Sequence, residues 1–418
     1  MPRTRSGVRY RSTALDRALA PARTVATVGP IEGLSADRLG TILDAVARCS
    51  PAPRSTLIPE GGRRRWDYDT TTSDHVVTSR PDLDTDDQAA LVTAVRNRPG
   101  PRRPLEVIVC GDHLVLDYSH GVGDGQLGIL GLAILAGGDE SRAPILAAGL
   151  PSTAVWTAAW RHYRSRPSAL ADVVRLRKQH KQFDVGGDGE PLRRIDHWQS
   201  AKCSVGAYLD ASRVEDLRAW TKRCRPGATT ASVTVALWMA ALRAEGVRID
   251  DRVMILINCR RYLGDAYRTA QGNFAVGIPI VMPPSGSPED IARLTRRVID
   301  SGWPLAILGM AELTSALHRP QASEATDVVD VPDRLRLAVS DLGRLTAFDG
   351  VTWKPGRPPQ FSAYLEPDGP DALTLLADDL SGGRTFTASF CSEMIAPSVV
   401  SGALQRMCAD PIGLLTER

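Results

Sequence analysis

Between residues 105 and 138 the chain changes structural period within one short turn, and no other stretch constrains the fold as tightly. Leu105 to Cys110 and Leu114 to Tyr118 are β-rich runs separated by Gly111-Asp112-His113, the pattern of a hairpin. From Gln126 the apolar residues Leu127, Leu130, Ile134 and Leu135 follow the period of a buried helix, which stops at Gly137-Gly138. Between hairpin and helix lies Ser119-His120-Gly121-Val122-Gly123-Asp124-Gly125. A strand therefore delivers His120 to a tight turn that opens directly into a helix.

Side chains alternate along the second strand, so Leu114, Leu116, Tyr118 and His120 share one face while His113, Val115, Asp117 and Ser119 share the other. Ser119 thus points away from His120, which argues against a triad of Ser119, His120 and Asp124. The chain also has no Gly-x-Ser-x-Gly. Asp124 stands where it can cap the helix and hold the turn, fixing the tautomer and direction of the imidazole. Such a base needs no nucleophile of its own. It can take a proton directly from a bound hydroxyl or amine, an effect worth roughly 10²–10⁴-fold in rate. A plain loop with a capping aspartate satisfies the same spacing. A phosphate loop does not, because the glycine-rich phosphate patterns are missing and a central aspartate repels the anion.

At 418 residues the chain exceeds one ordinary domain, and two lobes are expected, residues 1–185 and 186–418, divided at Gly186-Gly187-Asp188-Gly189. Lys plus Arg number 51 against 48 Asp plus Glu, a net charge of +3 that gives no case for nucleic acid as the main partner. Seven scattered cysteines, none in a Cys-x-x-Cys pair, support neither a zinc site nor a disulfide framework. His75, His113, His162, His180, His197 and His318 lack metal-ligand spacing and are expected at the surface or partly packed, so no metal site is expected. No stretch approaches the roughly 20 apolar residues of a membrane span, and a cytoplasmic location is expected.

Elsewhere, Ala36 to Cys49 has helical spacing after Ser35, and Pro151 to Gln182 is expected to be helical and anchored by Trp156, Trp160 and Tyr163. A β-rich run over Lys202 to Leu209 is followed by helices over Ser212 to Arg223 and Thr230 to Ala244, the second apolar nearly all round and so buried. Val253 to Asn258, Phe274 to Met282, Leu335 to Ser340, Phe361 to Leu365, Leu373 to Leu376 and Thr385 to Phe390 are candidate strands. The mixture fits an α/β fold without the strict alternation of a doubly wound sheet.

Residues 119 to 125 resemble the His-x-x-x-Asp-Gly motif of the condensation-domain and acyltransferase superfamily. That group includes peptide condensation domains, plant hydroxycinnamoyl-type acyltransferases, wax ester synthases and the mycobacterial polyketide-associated acyltransferases. Four further segments match in the family's order. They are Gly227-Ala228-Thr229-Thr230, Ile257-Asn258-Cys259-Arg260-Arg261, Gly272-Asn273-Phe274 and Ser340-Asp341-Leu342-Gly343. The resemblance implies two chloramphenicol-acetyltransferase-like lobes arranged as a V around a central tunnel. It makes His120 the general base and Asp124 a structural residue paired with the strand-end Arg260, with Arg261 the alternative partner. It implies no bound cofactor, the acyl group arriving as a coenzyme A or acyl-carrier-protein thioester and leaving on a small-molecule acceptor. The motif shows Ser119 where peptide condensation domains have a first histidine, which favours ester over peptide products. The Asp-Phe-Gly-Trp-Gly segment of the plant enzymes is absent.

The expected function is thus transfer of an acyl group from a thioester to a hydroxyl or amine in specialised metabolism, by a free-standing monomer. A non-catalytic platform that binds carrier proteins or tailoring enzymes, and a non-acyl condensation or cyclisation, are the alternatives. Ser340 and the backbone N–H of Gly125 are candidate donors to the developing oxyanion, and Asn273 is a substrate-site candidate that turn chemistry also explains. The runs Arg63-Arg64-Arg65 and Arg102-Arg103, the second preceded by Arg96 and Arg98, read as solvated loops or as contacts for phosphate or an acidic carrier.

Overall fold

The computed structural model describes residues 9–50, 52–69, 76–180, 191–317 and 327–416. Two large sheets organise them. The first runs in the order Gln360–Tyr364, Arg23–Gly29, His113–Ser119, Leu105–Cys110, Val77–Ser79. The second runs Ala275–Val281, Ile249–Asn258, Leu335–Arg344, Ala372–Leu380, Gly383–Cys391, Lys202–Leu209. Helices cover both, giving a mixed α/β molecule with one large apolar cluster on each sheet.

The expected hairpin is present, with Leu105 opposite Tyr118 and Cys110 opposite His113. Gly111 turns it in the left-handed region at φ 58°, where a side chain would be strained. The alternation also holds. Leu114, Leu116 and Tyr118 join the cluster that contains Leu127, Leu130 and Ile134, while Val115 packs on the opposite face with Val25 and Val92. The helix Gly125–Gly137 lies very close to this strand, since a Cβ added at Gly131 would meet Leu116 at 3.1 Å and one at Gly128 would meet the Tyr118 hydroxyl at 3.1 Å. Each leucine buried in that contact contributes about 1.5–3 kcal/mol relative to exposure. Gly138, at φ 65°, ends the helix.

The helices Ala36–Ala47, Ala211–Cys224 and Thr230–Ala244 form where periodicity placed them. Ser35 precedes the first, although its side chain makes no capping hydrogen bond. The strand Arg23–Gly29 escapes a pattern search, because six of its seven residues are buried and it shows no polar face. The helix Pro288–Asp300, not among the expected elements, carries Ser287 at the N-cap, proline at the first position and acids in the first turn.

Three expectations are corrected. Pro151 to Gln182 is two helices, Ala154–Ser165 and Ala169–Gln179, because Pro167 disfavours helical geometry at Arg166. Trp156 and Trp160 are not anchors but stand exposed, and only Tyr163 is partly packed, its hydroxyl donating to the Gly302 carbonyl at 2.8 Å. The run of Arg96, Arg98 and Arg102 is not a solvated loop. It wraps internal carboxylates: Asp117, fully buried, pairs with Arg23 at 2.7 Å, Arg98 at 2.9 Å and Arg102 at 3.6 Å, and Arg96 pairs with Glu366 at 2.9 Å.

The division expected at Gly186–Gly189 lies outside the described residues, as do His75 and His318. The lobes are not separated by one cut, since Gln360–Tyr364 returns from the C-terminal half to pair with Arg23–Gly29. His113 and His180 are buried rather than superficial. Among the described residues no cluster of potential ligands could hold a metal ion, and no helix is long and apolar enough to cross a membrane.

Candidate active site

The turn after the strand His113–Ser119 is held by its backbone. The His120 N–H donates to the Ala22 carbonyl at 2.8 Å, and the Val122 N–H donates to the Ser119 carbonyl at 2.9 Å. Ser119 Oγ donates to the Ala20 carbonyl at 2.8 Å and accepts from Gly121 N–H at 3.3 Å, so it faces away from His120 as alternation requires. Gly121 is needed for close approach, since a Cβ there would meet Ala20 Cα at 2.9 Å. Asp124 caps the next helix by accepting from Gln126 N–H at 3.1 Å.

Two buried ion pairs grip the turn from opposite sides. Asp124 and Arg260 form a two-pronged pair, Nη1 to Oδ2 at 2.8 Å and Nη2 to Oδ1 at 3.1 Å, with both side chains almost wholly buried. Phe274 N–H adds a third donor to Asp124 at 3.0 Å. Arg260 also donates to the Ala270 and Gly272 carbonyls at 2.8 Å each, so it ties the histidine turn to the loop after its own strand. Arg261 is exposed and is not the partner. Burial alone would raise the Asp124 carboxyl, but the Arg260 charge and these hydrogen bonds outweigh it and hold it below the usual carboxylate range.

The second pair joins Asp16 and Arg54 at 2.7 Å. Arg54 donates to the Val122 carbonyl at 2.8 Å and the Gly121 carbonyl at 3.0 Å, and it also contacts the Tyr10 hydroxyl, which itself donates to Asp16 at 2.7 Å. Burial opposes ionisation of Asp16 too, and the Arg54 charge again prevails, holding the carboxyl low. Neither residue was singled out from sequence. One signal was available, the capping box of Thr13 and Asp16 at the start of the helix Ala14–Leu19.

Asn273 joins the two systems. Its Nδ2 donates to Asp16 Oδ1 at 2.9 Å, the His120 carbonyl at 2.8 Å and the Gly121 carbonyl at 3.2 Å. All three are pure acceptors, which fixes the amide orientation and leaves Oδ1 toward His120 Nδ1 at 3.1 Å. Since Oδ1 can only accept, Nδ1 carries the proton in the neutral ring and Nε2 has the free lone pair. Asn273 is therefore more than a turn residue: it selects the tautomer.

The other candidates take different places. Gly125 is exposed as the first helical residue, and a side chain added there would meet nothing within 4 Å, so the space beside the positive end of the helix is open. Ser340 is buried opposite Leu376, just before a bulge between Asp341 and Gly343, and takes no part in the bonds that hold His120. The nearby Cys259 is buried and its thiol is pushed up to about 12, so no thiolate competes with the histidine.

A cavity of about 430 Å³ lies apart from His120, between the helices Ala211–Cys224 and Thr230–Ala244. Leu217, Val233 and Leu237 line it, Arg218, Lys222 and Arg225 border it, and Arg384 on its floor pairs with Asp341 and with Asp379 at 2.5 Å. On the opposite face of the sheet Asp378 is fully buried, and neither of its carboxyl oxygens has a hydrogen-bond partner among the described residues. Burial pushes its carboxyl far above the usual range, repulsion from Asp379 and Asp341 adds to this, and Arg384 only partly offsets it. A group raised in this way holds its proton in the folded state and gives it up on unfolding, so it costs stability increasingly as the pH rises above the ordinary carboxylate value of 3.8. Asp378→Asn is expected to melt higher than the parent at pH 8, with the gap closing toward pH 4. A gap independent of pH would contradict the buried neutral acid.

No protein-family model matches the chain, and no curated protein matches it. Solved structures do. The trichothecene 15-O-acetyltransferase TRI3 from Fusarium sporotrichioides aligns at TM-score 0.62 and 12% identity, over 99% of this chain and 98% of that one. The condensation domain of the Monacolin K polyketide synthase MokA aligns at 0.60 and 14% identity, over 98% of each. The epimerization domain from the third module of tyrocidine synthetase B aligns at 0.57 and 14% identity, over 96% of this chain and 93% of that one. The chain thus has the two-lobed, chloramphenicol-acetyltransferase-like fold of condensation domains. The neighbours on that fold include an acetyltransferase, a condensation domain and an epimerization domain.

Proposed function

We propose that this protein is an acyltransferase that moves an acyl group from a coenzyme A or carrier-protein thioester to a hydroxyl or amine, with His120 as general base. One observation carries the proposal, the hydrogen bond between His120 Nδ1 and Asn273 Oδ1, which leaves Nε2 free to accept a proton. In the proposed step Nε2 takes the proton of the acceptor O–H or N–H while the acceptor atom attacks the thioester carbonyl. The carbonyl electrons collect on oxygen, for which we assign the Gly125 N–H at the helix start as donor. The intermediate then collapses, the C–S bond breaks, and the leaving sulfur recovers the proton from Nε2. Ser340, on the interior strand Leu335–Arg344 of the second sheet, is a candidate for substrate contact.

Intact-mass analysis of reactions between a panel of acyl thioesters and candidate hydroxyl and amine acceptors tests this directly. Acylated acceptor together with free thiol is the expected product pair, and no thioester turnover across the panel would favour the carrier-binding platform instead. Asn273→Ala is expected to lower kcat about tenfold with little change in KM, the equivalent of one hydrogen bond of about 1.4 kcal/mol lost at the base. An unchanged kcat would remove Asn273 from the positioning of His120.

A further inference from the structure

The exposed large apolar side chains are not scattered over the surface. Six of the eight among the described residues belong to three neighbouring helices: Trp156, Trp160, Leu170 and Val174 on Ala154–Ser165 and Ala169–Gln179, with Met310 and Leu313 on Trp303–Leu317. In each of the first two helices one exposed stripe repeats at intervals of four, Trp156, Trp160 and Arg164 in one and Leu170, Val174 and Lys178 in the other. The core-facing positions Val155, Ala158, Val173 and Leu176 are buried, so the outer stripes are surplus to the fold. Trp160 is 66% and Val174 70% exposed, which makes these crests rather than the lining of a groove. Gly309 lies beneath Trp156, a Cβ added there meeting the ring at 3.8 Å, so Met310 continues the same surface.

The first two of these helices carry a one-sided charge, while Trp303–Leu317 adds one acid, Glu312, and no cation. Residues 154–179 carry Arg161, Arg164, Arg166, Arg175, Arg177 and Lys178 against the single acid Asp172, whereas the whole chain has a net charge of only +3. Arg175 pairs with Asp172 and Arg166 with Asp300, but Arg164, Arg177 and Lys178 have no acidic partner among the described residues. Tryptophan and aliphatic side chains on helix crests, beside cations without an acidic partner among the described residues, match the chemistry of a bilayer interface. There the rings settle at headgroup level and the cations meet lipid phosphates. A protein partner's anchors more often seat in a concave pocket. We propose that this helix pair is a docking surface for membranes rich in anionic phospholipid, binding at the headgroup level without crossing the bilayer. The proposal is independent of the acyl-transfer reading.

Cosedimentation of the full chain with vesicles tests it. At low salt the protein is expected to pellet with mixed phosphatidylcholine and phosphatidylglycerol vesicles about tenfold more strongly than with phosphatidylcholine alone, and to be released by high salt. The double variants Trp160→Ser with Val174→Ser, and Arg164→Glu with Lys178→Glu, are expected to lose about tenfold in vesicle binding while melting as the parent does. Equal binding to both vesicle types, or binding unchanged in both variants, would overturn the proposal. So would a surface occupied by a second copy or by an acidic carrier protein without vesicle binding, seen as a dimer or complex that these variants dissolve.

Discussion

Acyl transfer by a His120→Ala variant is expected to fall by about 10²–10⁴-fold, the contribution of a positioned general base, with KM for either substrate little changed. The fold should survive. The His120 ring is half-buried and its side chain makes one hydrogen bond, to Asn273, whereas its backbone N–H and carbonyl, which hold the turn, are unaffected by the substitution. Loss of rate in a variant that melts near the parent temperature separates chemistry from architecture. A folded variant with full thioester turnover would end the assignment of His120 as base and leave the non-catalytic platform as the better reading.

Arg260→Ala and Asp124→Ala are expected to act in the opposite sense, costing about 3–5 kcal/mol of stability each by leaving a buried charge without its partner. Replacing both together should cost less than the two separately, because the charge that penalises each single variant is then absent. Acid provides a second reading. Asp124 is held low in the folded state, so its contribution is complete above the ordinary carboxylate value of 3.8 and is lost as the pH falls through the lower folded value. The deficit of Arg260→Ala should therefore narrow in strong acid. Variants that melt like the parent at neutral pH would show that the pair is not buried as described.

The central hairpin of the N-terminal sheet and the histidine turn were legible in the sequence because they are local, whereas Arg23–Gly29 and Val77–Ser79 were not. The hairpin, the helix from Gly125, the cap by Asp124 and the outward face of Ser119 all follow from spacing over fewer than forty residues. Arg260 was legible for another reason, a resemblance in motif order, and the geometry selects it over Arg261. Asn273 was underrated because Gly-Asn explains itself as a turn, and sequence alone does not reveal that its amide meets a histidine 153 positions away. Asp16 and Arg54 were missed for the same reason, being common residue types whose importance lies in a pairing across 38 positions. Trp156 and Trp160 misled in the other direction. Large aromatic residues at helical spacing usually mark a core, and here they mark a surface.

The strand Gln360–Tyr364 ties the tempo of folding to the tempo of synthesis. Arg23–Gly29 can pair with His113–Ser119 as soon as both have emerged, but its other edge has no partner until residue 364 is made. At 5–20 residues per second a ribosome leaves that buried strand half-dressed for roughly 10–50 s. Arg23–Gly29 is thus made long before both of its edges are paired. Throughout that interval a sticky edge is open to neighbouring nascent chains, and a fragment ending near residue 185 would keep it open permanently.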